Sequence, residues 1–107
     1  MKIQINGVDW EIIELPREEL LKKYSELSNT GEINFLFGYA SYVTNTIYLN
    51  EEVIDKEHTL YHELVHAYLN SFGLQSDNYN EEDICNVASR SSKLINEIIE
   101  EYFESRW

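Results

Sequence analysis

Between Thr59 and Gly73 the chain reads TLYHELVHAYLNSFG, and this stretch restricts the possible folds more than any other. Leu60, Tyr61, Leu64, Val65, Tyr68, Leu69 and Phe72 recur at helical spacing, so the segment is expected to be a helix buried along a wide apolar arc. His62 and His66 stand at the edge of that arc, four residues apart and therefore on one side of the helix. Glu63 and Asn70 are expected beyond it. Two imidazoles one turn apart can converge on a single ion. Glu63, about 100° round the helix from His62, is poorly placed to join the chelate but well placed to hold a water on the ion. Zinc suits such a site, because it accepts imidazole and keeps a tetrahedral position open for water. The competing reading, histidines as surface or packing residues, leaves a carboxylate beside two half-buried imidazoles on an oily helix. A divalent metal supplies the counter-charge that this arrangement needs.

The rest of the chain is consistent with one small domain. A length of 107 residues allows about two-thirds of the unfolded surface to be buried in a single core. The formal charge of −12 argues against nucleic acid and against anionic membranes, since no basic patch offsets it. No apolar run reaches membrane-spanning length, and the start, MKIQINGVDW, lacks the apolar core of a signal peptide. One cysteine, Cys85, permits no disulfide within the chain and fits a reducing compartment, the cytoplasm. Cys85 itself reads as a small core residue.

Residues 2–14 are expected to form a hairpin, with Asn6-Gly7 as its two-residue turn between alternating apolar runs. Pro16 opens a helix to about Ser28, with Glu18 and Glu19 in its first turn and Leu20, Leu21, Tyr24 and Leu27 as its packing face. From Ile33 to Leu49, dense aromatic and β-branched residues return the reading to strand, with a turn at Thr44-Asn45. Gly38 marks either a bulge or a close approach to the backbone. The histidine helix should start near Asp55 and end near Phe72-Gly73, and a last helix should run from residue 80 or 81 to about 104. The expected fold class is α+β: a small, mainly antiparallel sheet of three or four strands packed against an N-terminal helix, the histidine helix and a long C-terminal helix.

A third ligand must come from elsewhere. The longer pattern HExxHxxGxxH is excluded, because Leu69 and Phe72 occupy its glycine and third-histidine positions. His58 shares a side with His62, but three ligands down one straight helix wrap an ion badly; a helix-start or supporting role suits it better. Glu81, Glu82 and Asp83 open the next helix and lie within reach if it folds back antiparallel. Its main apolar stripe is expected to be Ile84, Val87, Ala88, Ser91, Leu94, Ile95, Ile98 and Tyr102, with a smaller stripe of Cys85, Ser89 and Ser92 allowing close approach to the histidine helix. Periodicity leaves Glu81 and Glu82 unresolved, and dipole pairing at the helix start accounts for at least two of the three acids.

The run Glu82-Asp83-Ile84-Cys85-Asn86-Val87-Ala88-Ser89 resembles the helix that follows HExxH in the bacterial and phage metallopeptidases related to those that cleave repressors, a zincin family. The strand pair GYASYVTNTIYLN leading into TLYHELVHA is similar to that family's small phage-encoded members, and the resemblance covers roughly residues 36–92. It implies a minimal zincin-like domain, with Glu82 completing the zinc site and Asn86 as its companion. The chain departs from larger relatives in carrying no appended domain after the last helix, and in having Val65 where glycine or serine is common.

The expected activity is zinc-dependent hydrolysis of a peptide bond. Glu63 would act as general base on a zinc-bound water and pass the proton to the leaving amine, while His62, His66 and Glu82 hold the metal. Tyr79, in the loop before the third ligand, is a candidate donor to the oxyanion. Asn86, Asn70 or a backbone carbonyl would fix the outer ring nitrogens of the histidines. The substrate would be a peptide or protein held by strand addition at an exposed sheet edge, expected at residues 46–50. The alternative is a metal-stabilised binding or regulatory module whose hydrolytic machinery is idle.

Overall fold

The computed structural model describes residues 1–28, 37–73 and 81–104. Its elements run β1 (Lys2–Ile5), β2 (Val8–Leu15), α1 (Arg17–Ser28), β3 (Gly38–Ser41), β4 (Thr46–Asn50), α2 (Lys56–Ser71) and α3 (Glu81–Glu104). This is the expected α+β class. The hairpin β1–β2 turns on Asn6 and Gly7, whose φ values of 49° and 83° are the paired positive angles that match the twist of two antiparallel strands. Pro16, directly before α1, gives its carbonyl to the Leu20 N–H. Asp55 caps α2 by accepting from the His58 N–H at 3.0 Å, and Gly73, at φ 80°, follows its end as a C-terminal glycine should.

The four strands lie in the order β1-β2-β4-β3. Two of the three pairings are antiparallel, β1 with β2 and β3 with β4; β2 and β4 run parallel, with Ile12 opposite Ile47. The expectation of an exposed edge at residues 46–50 is therefore wrong. β4 is the second interior strand, buried along all five residues, and the edge beside it is β3. Local alternation reports which residues share a face but not which strand becomes whose neighbour, and a parallel partner 35 residues away in the chain, as Ile12 is from Ile47, leaves no local mark.

Parity across the sheet explains why β4 is buried throughout. Ile3, Ile5, Trp10, Ile12, Ala40, Ile47 and Leu49 point to one face and share a core with Leu60, Leu64, Ala67 and Tyr68 of α2 and Ile95, Ile99 and Tyr102 of α3. Tyr39 and Tyr48, paired across β3 and β4, point to the other face, where the Tyr39 ring meets Tyr24 of α1 edge-on at 4.9 Å. Helices thus cover both sides of the central strand. On α3 the buried stripe is Ser91, Ile95, Ile99 and Tyr102. Ser91, Ile95 and Tyr102 of the expected main stripe are thus buried and Ile98 packs against the core, but Leu94 is half-exposed and Ser89 exposed, and Ile99, four residues after Ile95, takes the buried place instead.

Glu14 on β2 holds the two long helices to the sheet. Lys56 at the start of α2 pairs with it at 2.9 Å, and the hydroxyl of buried Tyr102 near the end of α3 donates to its other oxygen. No helix among the described residues is long and apolar enough to cross a membrane.

Candidate metal and catalytic site

His62 and His66 come together as their spacing requires. Their Nε2 atoms lie 3.1 Å apart, and the rings meet edge to face with centroids 4.7 Å apart. Two nitrogens at that separation can each reach one ion at the usual zinc–imidazole distance of about 2.0–2.1 Å, with an angle at the metal of about 100°, near tetrahedral. The two residues therefore fit a zinc ion. His62 is exposed and His66 half-buried, so the pair opens to solvent on one side. Burial, and then the neighbouring His62, lower the pKa of His66, a shift toward the neutral ring.

Glu63 lies elsewhere than its helix position suggests. It was expected beyond the apolar arc, yet it is only 8 % exposed. The reason is Gly38. A Cβ built there would stand 3.0 Å from Thr59 Cγ2, 3.1 Å from the Tyr48 carbonyl and 3.3 Å from Glu63 Cγ. Thr59 and Glu63, one turn apart on α2, thus pack directly onto the backbone of β3. Of the two alternatives open for Gly38, close approach is the one the fold uses. Burial pushes the Glu63 carboxyl up to about 7, and a backbone hydrogen bond from Ala40 offsets part of the rise. A carboxyl poised there exchanges protons readily near neutral pH. Phe72, expected in the apolar arc, is instead 56 % exposed, because it is the C-cap residue, just past the end of the helix.

A cleft of about 700 Å3 opens beside Glu63 and His62, between the Phe37–Gly38 backbone and the start of α2. His58 is exposed on its wall, and its backbone N–H donates to the cap Asp55. Its lips carry Phe37, Val53 and Ile54, which sequence reasoning passed over. The only hint in the sequence is an apolar pair directly before the cap Asp55, where a residue in the Ile54 position ordinarily packs back on the helix as a staple. On the far side of the histidines, the Tyr42 hydroxyl donates to the His66 carbonyl at 3.2 Å, and the Tyr42 ring meets Trp10 edge-on at 6.0 Å. That contact fixes the helix under the second histidine.

Glu82 lies in the first turn of α3, and Glu81 begins it; their side chains, like that of Cys85, lie outside the described set, and Tyr79 lies outside the described residues. Asn86 is exposed and Asn70 half-buried. Among the described residues no three His, Cys, Asp or Glu side chains cluster as a metal site. Comparison with known protein families, curated proteins and solved structures finds no match to this chain.

Proposed function

We propose that this chain is a zinc-dependent peptidase in which Glu63 acts as general base. The observation that carries the reading is one juxtaposition: a carboxyl 8 % exposed on the same helix as two imidazole nitrogens 3.1 Å apart, at the wall of an open cleft. A metal bound only for structure has no use for a buried carboxyl at a cleft wall.

His62, His66 and Glu82 would hold the metal, with Glu82 assigned through the family resemblance. Zinc bound there supplies Lewis acidity toward a carbonyl. Glu63 takes the proton of the attacking water and returns it to the departing amine. Its packing on Gly38 fixes the carboxyl and keeps bulk water from its inner side. Tyr79 is the proposed donor to the oxygen that gains charge. The edge of β3, which pairs with β4 alone among the described strands and packs against Glu63 at Gly38, can hold an extended peptide backbone by strand addition. Membership of the zincin metallopeptidases related to the repressor-cleaving enzymes belongs to this proposal. So does a cytoplasmic location, which rests on the lone cysteine.

The test joins metal content to cleavage. Elemental mass spectrometry should find one zinc per chain in wild type and in Glu81→Ala, and less in Glu82→Ala and His66→Ala. The zinc-loaded wild type should cut a mixture of unstructured peptides, and Glu63→Gln should cut it about 10²–10⁴ times more slowly. A wild-type chain that takes no zinc when reconstituted sinks the reading. A zinc-loaded chain that binds peptides and cuts none leaves the idle binding module.

A further inference from the structure

We propose that the cleft beside Glu63 selects peptides by an apolar side chain flanked by basic residues, the apolar group seated against Phe37, Val53 and Ile54 and the basic ones beside Glu52 and Asp55. The inference rests on the peptide-binding reading above and names its substrate class.

The apolar part follows from exposure that the fold does not otherwise need. Ile54 is fully exposed at 102 % and Phe37 is exposed at 56 %, and both line the same cleft of about 700 Å3. Large apolar side chains exposed along an open cleft next to a candidate catalytic group can seat the apolar side chain of a ligand. Ile54 is also free of the packing its position normally has: it precedes the helix cap Asp55, yet makes no staple on α2.

These side chains are held in place by backbone that is itself fixed. Buried Asn50 donates its N–H to the Phe37 carbonyl at 2.9 Å and accepts the Val53 N–H at 3.1 Å. Its side-chain oxygen accepts the Glu52 N–H at 2.9 Å. The next anchor is Asp55, which caps α2 and whose carbonyl accepts the Thr59 hydroxyl at 3.0 Å. One buried residue thus ties together both lips of the cleft, through its backbone to Phe37 and Val53 and its side chain to Glu52, and the seat for a ligand side chain is preformed.

Charge selects the flanks. The cleft lining includes Glu52 and Asp55 and, among the described residues, no lysine or arginine. Lys56, next in the chain, is turned to Glu14 at 2.9 Å. The chain as a whole carries −12, so an acidic peptide is repelled on approach and a basic one attracted.

Binding and cleavage are read separately. Short fluorescein-labelled peptides are prepared with a central leucine between lysines, with alanine replacing the leucine, and with glutamates replacing the lysines. Fluorescence anisotropy on zinc-loaded Glu63→Gln should show the leucine–lysine peptide binding about tenfold more tightly than the alanine peptide. The glutamate peptide should bind more weakly still, and the lysine advantage should shrink in high salt. Ile54→Ser and Phe37→Ser, each made in the same background and checked for fold by circular dichroism, should reduce the leucine preference to less than about threefold. Equal binding of leucine and alanine peptides, or a preference untouched by both substitutions, overturns the inference. Cleavage by wild type is scored on the same peptides. The preference without cleavage upholds this inference and removes the hydrolase reading, whereas cleavage without the preference does the reverse.

Discussion

Replacing Glu63 with glutamine should stabilise the metal-free protein, and only above the pH at which free glutamate ionises. The carboxyl titrates at its ordinary value of 4.5 in the unfolded chain and at about 7 in the fold. Below pH 4.5 both states hold the proton, and the buried neutral acid costs nothing extra. As pH rises from 4.5 toward 7 the unfolded chain releases its proton while the folded one keeps it, so stability falls. Above 7 both are ionised and the full penalty remains. The interval between 4.5 and about 7, at about 1.36 kcal/mol for each pH unit, amounts to about 3 kcal/mol. Glutamine has the same shape and does not ionise, so comparing the two proteins cancels every other titrating group. Urea unfolding followed by circular dichroism in the presence of a chelator should give near-equal stabilities at about pH 4. At about pH 8 the glutamine variant should be ahead by roughly 2–3 kcal/mol, or roughly 10–20 °C in Tm. Saturating zinc should narrow the gap, because a cation beside the ionised carboxylate compensates its burial. A difference that does not vary with pH, or a less stable variant at pH 8, would show that Glu63 is solvated and that the contact with Gly38 is wrongly drawn.

Gly38→Ala should destabilise by about 1–3 kcal/mol, since its new methyl meets Thr59 Cγ2 at 3.0 Å and the Tyr48 carbonyl at 3.1 Å; adding Thr59→Ser should recover part of the loss in urea melts. Tyr102→Phe removes a hydrogen bond to a carboxylate from a side chain 6 % exposed and should cost about 1.5–3 kcal/mol. Lys56→Ala, breaking a more exposed pair at 2.9 Å, should cost less than about 1 kcal/mol and lose that effect in high salt. Asp55→Ala should cost about 1 kcal/mol through loss of the α2 cap, read by the same denaturation assay.

What could be read in the sequence was local. Asn6-Gly7 fixed the hairpin turn, Asp55 and Gly73 marked the ends of α2, and the i, i+4 spacing of His62 and His66 brought their nitrogens together. The hidden parts depended on which distant segment lies against which. Nothing near Glu63 in the chain reveals that Gly38 leaves room for it, so periodicity placed a buried group on the polar side. Nothing in TIYLN distinguishes an edge strand from one flanked on both sides, because its parallel partner, β2, is separated by α1 and β3. Ile54 looks like an ordinary staple until its full exposure is seen.

The insertion of β4 between β2 and β3 divides the candidate site by sequence distance. The two histidines meet as soon as a single turn of helix forms, whereas the Glu63 environment requires β3, a four-residue edge strand paired on one side to a strand that must itself find β2. Contacts of that range are slow to assemble, and one-sided edge strands are among the first to open. A transient release of β3 therefore wets Glu63 while leaving the histidine pair intact. On the proposed reading, a metal on the histidine pair would stay held during brief openings in which the proposed base is out of place, and a peptide laid along β3 would close them.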